Sequence, residues 1–249
     1  LRHAPPDFMV TTAMFRLLAF CVLFLLTGLH GTLAGELYFT DFSNFPTGDD
    51  TIVGRDSWAG SSSHAGLKLS GVDAEADHAV KDIGNAAFIG GNPSVLSSSV
   101  SRTVSVRRAF NVDPVTLGQE IVQFSVNFGI KDSTSTGIGV KRDNFEFAFY
   151  NQSGLLAFLQ FDNSTLNTVG GSPTKKVLRS SWSGSAFNKL DTGTTFLHGE
   201  LMNLVVRINF RTNRWSAWLD SVEVFSDEVF YSGALTKNLG FVAVQLHAV

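Results

Sequence analysis

RINFRTNRWSAWLDSVEVF, residues 207–225, decides how this chain folds. It holds two of the four tryptophans, Trp215 and Trp218, three positions apart. If RTNR (211–214), or its inner Thr212-Asn213 pair, closes a hairpin, Phe210 stands opposite Trp215, Ile208 opposite Ala217 and Arg207 opposite Trp218. Side chains alternate between the two faces of a strand. Leu204, Val206, Ile208, Phe210, Trp215, Ala217 and Leu219 therefore share one apolar face, the predicted core. A tight turn at Asp220-Ser221 then brings Val222 and Val224 to that core face and Glu223 to the side of Trp218. The two tryptophans point in opposite directions, and between two sheets one of them can be buried.

Working outward, short apolar runs separated by Gly, Ser, Asn and Asp recur along the chain. They are ELYFTDF (36–42), GLKLSG (66–71), AAFIG (86–90), RTVSVRRAF (102–110), IVQFSVNFGI (121–130), FEFAFYN (145–151) and LLAFLQFD (155–162). Further on come KKVLRS (175–180), TTFLHG (194–199), LMNLVVRINF (201–210), RWSAWLD (214–220), VEVF (222–225) and LGFVAVQL (239–246). Aromatic and β-branched residues in such runs, with almost no helical period, predict an all-β fold of antiparallel sheets, a two-sheet sandwich or jelly roll. The turn NQSG (151–154) closes a second hairpin. Its four residues place Phe149 opposite Leu156 and Phe147 opposite Phe158, with both faces apolar as befits strands in the middle of a sandwich. An odd-length loop would reverse that parity.

The chain has 249 residues, is 44% hydrophobic and carries a formal net charge of −3, so neither disorder nor a nucleic-acid surface is expected. Residues 1–35 differ from the rest. Arg16 precedes LLAFCVLFLLTGL (17–29), and small residues follow at Thr32 and Ala34. This reads as an N-terminal extension and a secretory signal peptide, a hydrophobic leader helix cleaved after Ala34 or Gly35. The apolar run is shorter than the roughly 20 residues a membrane-spanning helix needs, so no membrane span is expected in the mature protein. Cys21 is the one cysteine, and it leaves with the leader. Residues 36–249 are then expected to form a single jelly-roll domain, secreted or held at the cell surface, without disulfides.

FSNFPTGDDTIVGRDSW (42–58), KDIGNAAFIGG (81–91), FSVNFGIKDST (124–134), RDNFEFAFYN (142–151), FLQFDN (158–163) and LVVRINFRTNRWSAWLDSVEVF (204–225) cover most of that region. Together they resemble a family of secreted bacterial proteins with a concanavalin A-like (laminin-G-like) jelly-roll domain, common in Verrucomicrobia and often ending in a PEP-CTERM sorting tail. The resemblance implies the jelly roll and, by analogy of fold, a lectin-type or cell-surface role. The sequence departs from the pattern at LGFVAVQLHAV (239–249), after which no such tail follows, so a C-terminal truncation is expected.

Catalytic residues are not evident. Laminarinase-like hydrolases of this architecture need two carboxylates flanking the scissile bond, about 5–5.5 Å apart for a retaining mechanism. EADHAV (75–80) has Glu75 and Asp77 but Val80 where a second Glu is needed, and it reads as a solvated acidic loop. Asp220, Glu223, Asp227 and Glu228 straddle turns. No nucleophile elbow or zinc motif occurs. A structural Ca²⁺ is the one cofactor suggested. IKDSTSTGIGVKRDN (130–144) offers Asp132, Asp143 and Asn144, together with Ser133 and Thr134, as hard oxygen ligands; the competing reading is strand caps and Asx turns.

A polysaccharide or cell-surface glycan is the expected partner, since stacking needs an aromatic face beside polar side chains. Trp218 between Arg207 and Glu223 supplies this, and Trp182, on the loop SSWSGSAF (180–187), is a second candidate. Against these stand a cation–π cover of Trp218 by Arg207, and Trp182 as a loop anchor. Trp58 reads as a packing residue of the N-terminal segment and Trp215 as core. Sequons occur at Asn151 and Asn163. The reading is a secreted, non-catalytic glycan- or surface-binding sandwich. The alternatives are a structural matrix protein without a small ligand and a degenerate glycoside hydrolase.

Overall fold

In a computed structural model of the chain, the stretch 207–225 forms both predicted hairpins, the first two residues out of the expected register and the second, at Asp220-Ser221, in register. The structure describes residues 35–45, 52–62, 67–68, 72–74, 85–87, 89–91, 102–130, 144–163, 175–231 and 238–248. Its strands are β1 (Trp58–Ser62), β2 (Leu67–Lys68), β3 (Val72–Ala74), β4 (Asn85–Ala87), β5 (Gly90–Gly91), β6 (Arg102–Val112), β7 (Ile121–Phe128) and β8 (Asn144–Tyr150). They continue with β9 (Leu155–Asp162), β10 (Lys176–Trp182), β11 (Phe187–Thr195), β12 (Met202–Asn209), β13 (Arg214–Leu219), β14 (Val222–Val229) and β15 (Leu239–Ala248). All sheet pairings are antiparallel. A seven-stranded sheet runs β1-β6-β15-β8-β9-β10-β11 and a four-stranded sheet runs β14-β13-β12-β7. Two short two-stranded ribbons, β2-β5 and β3-β4, accompany them. The leader and the acidic motif at 75–80 lie outside the described residues. Among the described residues no helix is long and apolar enough to cross a membrane.

The register of β12 and β13 pairs Ile208 with Trp215, Val206 with Ala217 and Val205 with Trp218, so Arg207 faces Ser216 and lies diagonal to Trp218. The offset arises because the turn is Phe210–Asn213 rather than 211–214. Asn209 Oδ1 accepts hydrogen bonds from the N–H groups of Arg211 and Thr212, both at 3.0 Å, and Asn213 takes a left-handed φ of 56°. A shift of two preserves parity, so the faces come out as expected. Trp215 is 1% exposed, and Leu204, Val206, Ile208, Phe210, Ala217 and Leu219 are all buried. The next turn is Asp220-Ser221, with φ of 50° and 66°, the double positive φ of a two-residue hairpin. Asp220 Oδ1 fixes it by accepting from Asn203 N at 2.7 Å. Val222 departs from expectation. It is 65% exposed beside the turn, while a bulge in β14 sends both Val224 and Phe225 inward.

A bulge also reverses the parity of the 151–154 hairpin. Tyr150 pairs with Leu155 as counted, but Phe149 pairs with Ala157 and Phe147 with Leu159. The extra residue is Leu156, whose carbonyl leaves the ladder and accepts from Tyr231 N at 3.2 Å. Phe147, Phe149, Leu159 and Phe161 consequently face the core, and Phe158 lies on the opposite, outer face. The core is a herringbone of rings between the sheets. Phe124 and Phe128 of β7 meet Phe147, Phe149 and Phe161 at centroid distances from 4.9 to 5.8 Å, all tilted or edge-on. Such pairs add about 0.5–1.5 kcal/mol each beyond the area they bury.

Two expected strands are absent. Residues 36–42 are irregular, although Tyr38 is anchored: its hydroxyl accepts from Trp58 Nε1 at 3.0 Å, and the Arg108 guanidinium lies 3.6 Å from its ring centroid. Trp58 is thus the packing residue expected. The 194–199 segment gives up its strand to β11, which starts earlier, directly after a turn at 183–186. Trp182 accordingly ends β10 instead of riding a loop. Both sequon asparagines are sealed, Asn151 at 1% and Asn163 at 0% exposure, so neither can carry a glycan in the folded chain.

The 151–154 turn docks against the start of β15. Asn238 Oδ1 accepts from Gln152 N at 3.4 Å, and a Cβ placed on Gly240 would stand 2.6 Å from the carbonyl carbon of Asn151. The obstacle is backbone, which cannot swing aside as a side chain would. Gly240→Ala is expected to lower stability by about 1–3 kcal/mol. A urea unfolding midpoint equal to wild type would contradict this packing.

Candidate functional site

Alternation along β7, β12 and β13 puts Gln123, Asn127, Asn203, Arg207, Asn209, Arg214, Ser216 and Trp218 on the outer face of the four-stranded sheet. Trp218 is half-buried there, opposite Val205 on one side and Glu223 on the other. Arg207 is held at two points. Its Nε donates to Gln123 Oε1 at 2.9 Å, and its Cζ lies 5.2 Å from the Trp218 ring centroid. The cation–π contact is therefore formed, and Trp218 is an aromatic edged by an oriented guanidinium rather than a bare platform. Glu223 is exposed, with Oε1 accepting from Ser226 Oγ at 2.9 Å.

Beside this trio the face dips into a hollow of about 240 Å³, bordered by Trp218, Arg207, Asn209, Thr212, Arg214 and Asp227. Of these, the sequence pointed to Trp218 and Arg207 as binding residues; Arg214 and Asp227 are charged groups that the fold adds to them. Arg214 Nη1 donates to the Asp227 carbonyl at 2.6 Å and lies 3.7 Å from its carboxylate. Asp227 itself sits at a φ of 52°, and its N–H donates to Ser216 Oγ at 2.9 Å. Alternation in RWSAWL would have found Arg214. It could not find Asp227, because the bulges in β14 carry that residue out of simple register. The hollow thus combines one ring edge, two guanidinium groups and hydroxyl, amide and carboxylate acceptors, a set able to receive several hydroxyls of a ligand.

A larger hollow of about 430 Å³ lies between residues 39–45 and Arg55-Asp56. Its acids are engaged locally: Asp41 accepts from Ser43 N at 2.9 Å, and Asp56 pairs with Arg108 at 3.2 Å. Phe39 and Phe45 line it, but among the described residues no guanidinium is held against either ring as Arg207 is against Trp218, so the smaller hollow is the stronger candidate.

The remaining sequence candidates are dispersed. Trp182 belongs to the seven-stranded sheet and is half-buried against Tyr231 and Phe187, 4.4 and 4.9 Å between centroids; it is an anchor. Asp132 and Asp143, proposed for calcium, lie outside the described residues. Asn144 opens β8 and uses its Oδ1 to accept from Asn163 N at 2.9 Å, the strand-cap role that competed with metal binding. Among the described residues no group of three or more His, Cys, Asp or Glu side chains could hold a metal. In the 220–228 acidic cluster, Asp220 fixes a turn, Glu223 meets Ser226, Asp227 meets Arg214, and Glu228 pairs with Arg179 at 2.9 Å.

Strand order, register and the buried face between the two sheets define the class: an all-β antiparallel sandwich. No protein-family model matches the chain, and no curated protein resembles it in sequence. Solved structures with similar arrangements include a sialidase at 11% identity and a TM-score of 0.43, covering 81% of this chain and 14% of its own. A tetrameric galectin from the ball sponge Cinachyrella sp. shares 11% identity over 56% of this chain and 85% of its own, with a TM-score of 0.32. A carbohydrate esterase from the Shiga toxin-encoding bacteriophage phi24B shares 14% identity over 77% of this chain and 90% of its own, with a TM-score of 0.39. None of the three bears on what the chain binds.

Proposed function

We propose that this chain is a non-catalytic sandwich module, exported from the cell, that binds a polysaccharide or cell-surface glycan on the outer face of its four-stranded sheet. The observation that carries the reading is the hollow in which Trp218 meets Arg207, Arg214, Asn209 and Asp227. Sugar recognition requires an apolar ring for the C–H face of a pyranose and fixed donors and acceptors for its hydroxyls. Here Arg207 is pre-oriented by Gln123, and Arg214 by the Asp227 carbonyl. Groups already held in place lose little freedom when a ligand arrives.

Trp218→Ala is expected to weaken retention on a glycan array by about tenfold or more, as truncation of a central aromatic in a binding face does. Arg207→Ala should weaken it as well, while Trp182→Ala should leave it unchanged. Wild-type protein that retains no glycan, or a Trp218→Ala variant that binds as wild type does, would overturn the proposal.

A further inference from the structure

The charges bordering the Trp218 hollow do not cancel, and the imbalance selects among glycans. The ladders place Gln123, Arg207 and Ser216 in one row across the outer face of the four-stranded sheet. Asn209 and Arg214 lie in the row on one side of it, and Trp218 lies in the row on the other. Arg207 therefore occupies the middle of the face, between the ring and the second guanidinium, and it is exposed at the border of the open hollow.

Arginines elsewhere in the two sheets are matched with carboxylates: Arg108 with Asp56, Arg179 with Glu228 and Arg214 with Asp227. In the adjoining turn Arg211 pairs with Glu120. Arg207 has no such partner among the described residues. Its Nε donates to Gln123 Oε1, and its Cζ lies beside the Trp218 ring. That arrangement fixes the plane of the guanidinium and leaves the N–H groups of both Nη atoms without a protein acceptor among the described residues. A planar fork of this kind matches two oxygens of one carboxylate or sulfate. The acidic groups nearby are directed elsewhere. Asp227 faces Arg214, its carboxylate 3.7 Å from Nη1. Glu223 accepts from Ser226 and stands on β14, with β13 and the Trp218 ring between it and Arg207. Two guanidinium groups thus meet one carboxylate at the hollow, which leaves a positive excess on the Arg207 side of a chain whose formal net charge is −3.

We infer that the Trp218 hollow selects an acidic glycan, one whose uronate carboxylate or sulfate ester is held by the Nη groups of Arg207 while the sugar ring lies against Trp218. The inference rests on the reading of this face as a glycan site and names the class of glycan. A neutral sugar leaves the oriented guanidinium without an anion; an acidic one completes the pair. The hollow is also polar in one direction. Asp227 repels an anionic group and accepts a hydroxyl, so the acidic substituent points toward β12 and the hydroxyls toward β14. Carboxylate and sulfate present the same pair of oxygens to the fork, and the test separates them.

The test titrates the full chain calorimetrically with two matched pairs of probes: oligogalacturonates against their methyl esters, and sulfated carrageenan oligosaccharides against their desulfated forms. Wild type is expected to bind the acidic member of at least one pair about tenfold or more tightly than its neutral counterpart, the gain of a charge-assisted hydrogen-bonded pair. The pair that discriminates identifies the anion. Arg207→Gln should bring the acidic-to-neutral ratio close to one, and added salt should shrink the ratio in wild type. Asp227→Asn removes the opposing carboxylate at a position whose left-handed φ of 52° asparagine tolerates, so it should raise the ratio. Trp218→Ala should weaken acidic and neutral members alike. If Arg207→Gln fails to fold, the Asp227→Asn ratio decides. The inference is overturned if neither acidic member binds wild type more tightly than its neutral form, if the ratio survives Arg207→Gln, or if Asp227→Asn fails to raise it. The Trp218 reading stands through each of these results so long as a glycan is bound by wild type and lost in Trp218→Ala.

Discussion

Trp215→Ala is expected to cost about 3–5 kcal/mol of folding stability, the range for removing a large ring from a filled core. The ring is 1% exposed, lies 4.5 Å from Phe225 between centroids and stands opposite Ile208 in the ladder. One term works the other way. Trp215 Nε1 is buried with no hydrogen-bond partner among the described residues, and an unmet donor costs about 1–3 kcal/mol. Trp215→Phe, which keeps most of the ring and deletes that N–H, should therefore lose much less than the alanine variant. Trp218→Ala gives the contrast. Its half-buried ring forfeits chiefly the contact with Arg207, about 0.5–1 kcal/mol at an exposed site. Chemical denaturation of the three variants should rank them in that order. If Trp218→Ala proved the more destabilising tryptophan variant, the assignment of the two rings to core and outer face would be wrong.

Stability should also fall as the pH rises from about 5 to about 7.5, and Glu146 is the cause. Burial lifts its carboxyl from the ordinary 4.5 to about 7, the charge of Lys189 pulling weakly the other way. A folded state that holds the proton more tightly than the unfolded chain is favoured while the proton is present. The contribution is complete below the unfolded value and is lost as the pH climbs through the folded one, on the order of 3 kcal/mol in all. His247 acts with the opposite sign. Burial lowers its imidazole below the ordinary 6.5, so it withdraws stability as the pH falls. Glu146→Gln removes the first effect and leaves the second, so its stability should rise, not fall, across the same window. Urea titrations of both proteins near pH 5 and pH 8 measure the difference directly. Equal slopes in wild type and variant would show that the Glu146 carboxyl ionises in the folded chain as it does in the unfolded one.

Most of this architecture is legible in the sequence where alternation is long and unbroken. The runs at 201–210, 214–220 and 239–246 fall on β12, β13 and β15, and the inward and outward sides of the first two follow from parity alone. What parity misses is an inserted residue. Leu156 is apolar like its neighbours, so nothing in LLAFLQFD marks which residue is the extra one, and Phe158 changes sides because of it. The bulges of β14 hide Asp227 from the Trp218 face in the same way. Glu146 stands plainly between two phenylalanines, yet nothing in that pattern marks the burial that lifts its carboxyl. Segment 36–42 shows the converse failure. Its alternating apolar residues suit a strand, but tertiary contacts of Tyr38 with Trp58 and Arg108 hold it in irregular form.

The order of the seven-stranded sheet has a consequence for biosynthesis. β15, residues 239–248, lies between β6 and β8, so those two are joined laterally through a strand made long after both. While the ribosome is still adding residues 151–238, β6 has no partner on that side and β8 offers an open edge. Pairings of such long sequence separation close slowly, and exposed edges are where nascent chains associate wrongly. A ribosome stalled before residue 239 should therefore hold a chain still sensitive to protease, and protection should arrive abruptly once β15 has cleared the exit tunnel.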